Sequence, residues 1–165
     1  MRPEMPTLSQ VDLLPALLTH RPPMEWQDIN GHVNVQHYVH LYDLAGYPLL
    51  ESLGIDAEFV RVRRRGLFDL EHHVWYLREL HVGDEVTVHC YLLARSVKRL
   101  HGVMFLANRS RQQVASALEF LSTVADLDAR STAPIPPDIA MRVDARIEHD
   151  RRVGWPAPTC GAMGV

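Results

Sequence analysis

Asp28-Ile-Asn-Gly-His-Val-Asn34 is the stretch whose reading decides the fold. It sets a carboxylate, a Gly turn and two polar side chains directly ahead of a long amphipathic run. Asn34 is the expected N-cap, because its side chain can accept from a first-turn N–H. After it Val35, Val39, Tyr42, Leu49 and Leu53 fall near one face at helical spacing. Gly54 is a natural C-terminal stop. Pro48 opposes this reading: inside a helix it removes one hydrogen bond and clashes with the preceding turn, at about 3 kcal/mol. A kink or break is therefore expected between Ala45 and Pro48, without loss of the helix. A carboxylate beside such a helix start sits next to backbone N–H groups that can hold developing negative charge.

Working outward, the pattern upstream admits a short helix over Leu8 to Leu18, with Pro15 against it. Thr19 to Trp26 reads as a strand at a sheet edge, since Pro22 and Pro23 cannot donate to a ladder. Downstream of Ala57 the period changes to two. Phe59 to Arg65 is a mixed, basic segment. Leu70, His72, Val74, Tyr76 and Leu80 then alternate with Glu71, His73, Trp75 and Glu79. Gly83-Asp84 turns the chain. Val86 to Leu92, His101 to Ala107 and Val114 to Val124 follow as strands, separated by turns at Ser96–Arg99 and Asn108–Gln112. Short turns make most pairs antiparallel hairpins. Asp128 to Pro137 is a linker, Asp138 to Arg152 a polar helix, and Gly154 to Val165 a mobile tail. The layout is α+β, one long helix held against one face of a curved antiparallel sheet.

The 165 residues suit one domain, and 47% hydrophobic with 22% charged residues is a soluble composition. A net charge of -3 argues against non-specific nucleic-acid binding, so no nucleic-acid partner is expected. Cys90 and Cys160 are too few for a disulfide framework, which points to a reducing, cytoplasmic setting. Val11 to Leu18 is too short to span a membrane and lacks the basic flank of a signal peptide, so no membrane association is expected.

The motif Asp28–Asn34, followed by Tyr38 and a helix ending at Leu53-Gly54, resembles that of the hotdog-fold acyl-CoA thioesterases of the 4-hydroxybenzoyl-CoA type. Glu25-Trp-Gln-Asp-Ile-Asn-Gly-His, Glu71-His-His-Val-Trp-Tyr-Leu-Arg-Glu79 and Lys98-Arg-Leu-His101 look most like the betainyl-CoA thioesterases of carnitine breakdown. The resemblance covers residues 19–130, read as the hotdog domain. Residues 1–18 form an N-terminal arm and 131–165 a C-terminal linker, helix and tail. It implies an antiparallel sheet wrapped round a central helix, and a homodimer or homotetramer with its sites at the subunit interface. It implies no cofactor, since coenzyme A is part of the substrate.

Thioester hydrolysis needs a nucleophile or a base for water, and a donor for the oxyanion. Asp28 matches the family's catalytic carboxylate. The backbone N–H near Val35 is the expected oxyanion donor, a role that asks nothing of the side chain. His32 and Asn34 are candidates to position the carbonyl or water, although Asn34 is also the cap. Gly31 would allow close backbone approach. Glu71, His73 and Trp75 share one strand face, with Glu79. With Trp26 and Tyr38 they could receive a cationic acyl group, although single strand aromatics mostly serve packing. Arg64, Arg65, Lys98 and Arg99 are candidates for the phosphates of CoA, a basic run being otherwise a solvated face. His37, His40 and Asp43 share a helix side, but no stretch has zinc-ligand spacing and no metal is expected. No Cys/His nucleophile pair is supported. Two other functions fit the same scaffold: a hotdog acyl-CoA hydratase or dehydratase, using an Asp/His pair, and a non-catalytic acyl-CoA binding module.

Overall fold

A computed structural model describes residues 3–165. The order of elements is α1 (Leu8–Val11), β1 (Ala16–His20), a 3-10 turn (Met24–Trp26), α2 (Gln36–Ser52), α3 (Ala57–Arg63), β2 (Arg65–Tyr76), β3 (Val86–Arg95), β4 (Arg99–Asn108), β5 (Gln113–Asp126), β6 (Ser131–Thr132) and α4 (Pro137–Arg151). The sheet runs β1-β3-β4-β5-β2 with every pair antiparallel, and β6 adds to β5. It is an α+β fold, a sheet packed round the long helix α2.

Helix α2 buries Tyr38, Leu41, Tyr42, Ala45 and Leu49. That face is rotated from the expected one: Val35 and Val39 are exposed. The helix also runs unbroken through Pro48, so the expected break is absent. The lost bond costs about 3 kcal/mol, whereas each large apolar side chain on the buried face returns roughly 1.5–3 kcal/mol. Packing decides the outcome.

Other expectations shift as well. The basic segment after Ala57 is the helix α3, started by Asp56, whose side chain accepts from the Phe59 N–H at 2.7 Å. The first strand ends at His20, and Met24–Trp26 is a turn. The segment Leu8–Leu18 is helical only to Val11. β3, β4 and β5 are consecutive hairpins, but β2 does not pair with β3. It pairs with β5 at the far edge, because the connection after Tyr76 crosses the end of the sheet with Leu80 fully buried in the core.

The core has two faces. Side chains of α2 and α4 pack with Val88, Cys90, Met104, Leu118 and Phe120 on one side of the sheet. On the other, Trp75, Tyr91, Val103 and Phe105 are covered by Val11 and Leu14 from the N-terminal arm and by Trp155 from the tail. The tail is thus packed, where mobility was expected: the Cys160 N–H donates to the buried Glu119 carboxylate at 2.6 Å. Cys90 is core, and burial pushes its thiol up to about 12. No helix among the described residues is long and apolar enough to cross a membrane.

The two sheet edges are treated differently. β1 pairs only with the first half of β3. Beyond it α4 takes over: the Asp150 carboxylate accepts from the Leu92 N–H at 2.9 Å, and Arg146 donates to the Cys90 carbonyl at 2.7 Å. Asp150 is fully buried and also pairs with Arg146 at 2.8 Å. Edge β2 has no such cover among the described residues. Asp150→Ala should destabilise the chain by about 3–5 kcal/mol, because it leaves the Arg146 charge and a buried amide unpaired. Urea unfolding followed by circular dichroism tests this; a loss under 1 kcal/mol would mean that α4 does not seal the edge.

Candidate active site

The residues from Trp26 to Asn34 form a loop closed on itself. Gln27 and Val33 make an isolated antiparallel bridge. The Asp28 N–H donates to the His32 carbonyl at 2.8 Å, and the Gly31 N–H to the Asp28 carbonyl at 3.1 Å. Gly31 has φ +85°, the left-handed conformation that explains a glycine in this turn. Two further bonds close the loop at its ends and fasten it to the rest of the chain. The Asn34 N–H donates to the Trp26 carbonyl, and the Val33 N–H to the Leu80 carbonyl, each at 2.8 Å.

The loop fixes the Asp28 carboxylate. Its Oδ1 accepts from the N–H groups of Asn30 at 2.8 Å and His32 at 3.3 Å, and the Asn30 carboxamide approaches Oδ2 at 3.5 Å. Partial desolvation pushes the carboxyl upward, but these donors and the His32 ring outweigh it, so Asp28 titrates below the usual carboxylate range. It is an anion at neutral pH.

The helix start completes the arrangement. Asn34 Oδ1 accepts from the Gln36 N–H at 3.1 Å and the Asn34 carbonyl from the His37 N–H at 3.0 Å, so Asn34 caps the helix. Val35 already has helical dihedrals, and its N–H makes no hydrogen bond among the described residues. A fixed carboxylate and an unused helix N-terminal donor therefore lie on one short loop.

Several expected residues support this loop from behind. Trp26 lies stacked on His37 at 4.4 Å and on His20 at 5.0 Å, with His40 at its edge. It is a buttress between β1 and the first turn of α2. Desolvation, and then the neighbouring His40, lower the pKa of both His20 and His37, which keeps that stack neutral. Tyr38 is a brace: its hydroxyl accepts from the buried Leu80 N–H at 2.9 Å and donates to the Arg78 carbonyl at 3.2 Å. The His32 ring meets Glu79 at 3.2 Å, and Glu79 meets His81 at 3.6 Å.

Other expected residues are not brought to Asp28 within the chain. Strand side chains alternate, so His72, Val74 and Tyr76 belong to the α2 side of β2 while Glu71, His73 and Trp75 turn away. Trp75 is buried under the tail, in the cluster with Trp155, and the His73 ring rests on it at 4.4 Å. Glu71 is exposed, next to a register shift at Asp69/Glu71. Glu79 lies beyond the strand and is the one member of that set beside the motif. Arg64 and Arg65 are paired with Asp128 at 2.9 Å and Asp126 at 2.7 Å. Lys98 donates to the Thr132 hydroxyl at 3.3 Å, and Arg99 has no carboxylate partner among the described residues. All four basic residues lie towards the Arg65 end of β2, whose length of about 36 Å separates them from the Asp28 end.

One feature was missed from the sequence. A cavity of about 420 Å³ opens between α2 and the β2 side of the sheet. Val39, Tyr42, Asp43, Gly46 and Tyr47 form its helix wall, with Leu118 and Phe120 opposite. A Cβ on Gly46 would meet nothing within 4 Å. The available signal was the exposed stripe Val35, Val39, Asp43 at four-residue spacing, with a Gly following in mid-helix, where it costs about 1 kcal/mol relative to Ala.

Comparison with known proteins bears on this geometry. Residues 22–143 match the family model of the thioesterase-like superfamily. The chain is similar to the betainyl-CoA thioesterase of Pseudomonas aeruginosa, with 32% identity over 153 residues, 90% of this chain and 95% of that one. A hypothetical protein of Staphylococcus aureus, solved in complex with CoA, has the same fold. It is 24% identical, covers 87% of this chain and 90% of its own, and gives a TM-score of 0.79. A Pseudomonas putida structure is 26% identical over 92% of this chain and 96% of that one, at a TM-score of 0.76.

The Asp28 environment can be checked directly. A carboxyl ¹³C NMR titration should place its midpoint below the ordinary aspartate value; a midpoint at or above that value would mean the loop donors are not engaged.

Proposed function

The chain belongs to the thioesterase-like superfamily and is a thioester hydrolase, and from that premise we propose that it hydrolyses a small acyl-CoA, betainyl-CoA, at Asp28. The observation that carries this reading is the pairing of a fixed, ionised Asp28 with the unused Val35 N–H. Similarity to the Pseudomonas aeruginosa betainyl-CoA thioesterase supports the choice of acyl group.

In the reaction the thioester carbonyl oxygen accepts the Val35 N–H, which stabilises the charge that grows there as the tetrahedral intermediate forms. Asp28 acts by one of two routes. As nucleophile, its carboxylate attacks the carbonyl carbon, the C–S bond breaks, and CoA leaves as thiolate. Water then cleaves the mixed anhydride. As general base, it takes a proton from water while that water attacks, and the intermediate expels CoA thiolate. Both routes give one carboxylic acid and one CoA thiol per water consumed. His32 lies in the same loop, close enough to bear on the Asp28 carboxyl, and serves to position the carbonyl or water.

The open β2 edge supports a homodimer. It carries the exposed Phe68, Leu70 and Tyr76, and an uncovered edge is a template for pairing with another chain. An antiparallel β2–β2 contact about a two-fold axis puts the Arg65 end of one strand beside the Tyr76 end of the other. The group Arg64, Arg65, Lys98 and Arg99 of a second copy would then stand near the Asp28 end, where CoA phosphates need cations. That accounts for basic residues so far from Asp28 in one chain.

Asp28→Asn should lower turnover of betainyl-CoA by about a hundredfold or more while the fold is kept. Thiol release measured with a disulfide chromophore tests this, and near-normal turnover would overturn the assignment. Light scattering should give a multiple of 18.8 kDa, reduced to the monomer mass when Phe68 and Leu70 are both changed to Asp; a fully active wild-type monomer would contradict the shared site.

A further inference from the structure

The Asp28 carboxylate is engaged on one side only. Its Oδ1 accepts from the Asn30 N–H at 2.8 Å and the His32 N–H at 3.3 Å, while Oδ2 meets only the Asn30 carboxamide, at 3.5 Å. Asp12, Asp128, Asp138 and Asp144 each hold an arginine. Asp28 has no arginine or lysine partner among the described residues. The two imidazoles behind the loop bring no compensating cation, because desolvation and then His40 lower the pKa of His20 and His37. Those same rings stack on Trp26, at 5.0 and 4.4 Å, so its indole is already covered. The other carboxylate at this end, Glu79, meets the rings of His32 and His81. Asp28 is therefore an anion whose free side lacks a counter-charge.

We infer that Asp28 also reads the charge of the acyl group, so that the preferred substrates are thioesters with a quaternary ammonium on the carbon next to the carbonyl. This rests on the betainyl-CoA reading above. Covalent geometry puts such a nitrogen about 2.5 Å from the carbonyl carbon. A carboxylate oxygen poised to attack stands about 3–3.5 Å from the same carbon. It is then no more than about 6 Å from the cation; a water between them adds one hydrogen-bond length. At such a separation, opposite charges beside a protein surface attract several times more strongly than in bulk water. A trimethylammonium has no N–H and asks for no hydrogen-bond geometry, so the open Oδ2 side meets it by charge alone. The attraction also survives the reaction. As attack proceeds the negative charge passes to the carbonyl oxygen, which is bonded to the same carbon and stays beside the cation. A cation placed two carbons farther along the chain moves out of this range. The group that does the chemistry thereby selects both the presence and the position of the charge.

The test has two arms. In the first, kcat/KM of the wild type is compared for betainyl-CoA, for its neutral isostere 3,3-dimethylbutanoyl-CoA, and for 4-trimethylammoniobutanoyl-CoA, which carries the cation two carbons farther out. Betainyl-CoA should be favoured at least tenfold over both. Equal values for betainyl-CoA and the neutral isostere overturn the substrate reading and this inference with it. Equal values for the two cationic thioesters overturn the inference alone. The second arm separates charge reading from turnover. Calorimetry with the methylene analogues of betainyl-CoA and of the neutral isostere gives a ratio of Kd values in the wild type, in Asp28→Asn and in Glu79→Gln. Asp28→Asn keeps an oxygen for the two loop donors, so the loop is retained. The cationic analogue should bind at least tenfold tighter in the wild type and in Glu79→Gln, and the ratio should fall to near one in Asp28→Asn. A preference that is absent from the wild type, or that survives in Asp28→Asn, overturns the role of Asp28 and leaves the substrate reading standing. A preference lost only in Glu79→Gln overturns it too, and assigns the charge to Glu79.

Discussion

The Val33 N–H donates to the Leu80 carbonyl, and the candidate site depends on that bond. It joins two segments that the sequence keeps far apart: the loop that carries Asp28 and the connection that leads β2 across the end of the sheet. Leu80 is fully buried, so the carbonyl that receives the bond cannot drift. Its N–H is taken by Tyr38 from the first turn of α2. Loop, helix start and crossover are thus tied at one residue. The Asp28 carboxylate and the Val35 N–H keep their relation because both hang from this knot, with Trp26 stacked behind it. Preorganised donors matter here because they cost no reorganisation when charge develops.

The second constraint is the sheet edge. On the β3 side, α4 supplies a carboxylate and a guanidinium in place of a neighbouring strand. On the β2 side nothing is supplied among the described residues, although the strand is long and bears exposed apolar groups. A sequence that seals one edge with a buried Asp150 and leaves the other open favours one pairing over others. The same open side exposes the cavity along α2.

Much of this was legible in the residues, and the limits were physical. The Asp28 motif, the helix behind it and the three hairpin strands all follow local rules of spacing and turn chemistry. The face of α2 did not, because Tyr38, Leu41 and Ala45 are buried by tertiary packing that a list of apolar positions cannot orient. Pro48 misled for a related reason: a local penalty was outweighed by burial of Leu49 and its neighbours. The departure of β2 from β3 was hidden because alternation continues past Tyr76 to Leu80, although the strand ends. Trp75 and His73 resemble binding residues in sequence, yet β2 turns them to the face covered by Trp155. Asp43 was visible only as a companion to His37 and His40, and its place on the wall of the cavity beside α2 follows from the fold.

The central claim is that Asp28 and the Val35 N–H act on one carbonyl. The most direct measurement is a crystal structure with a non-hydrolysable betainyl-CoA analogue in which a methylene replaces the sulfur. The account predicts the carbonyl oxygen within hydrogen-bond distance of the Val35 nitrogen, with the Asp28 carboxylate facing the carbonyl carbon or a water beside it. A carbonyl bound elsewhere, or turned away from the start of α2, would contradict it.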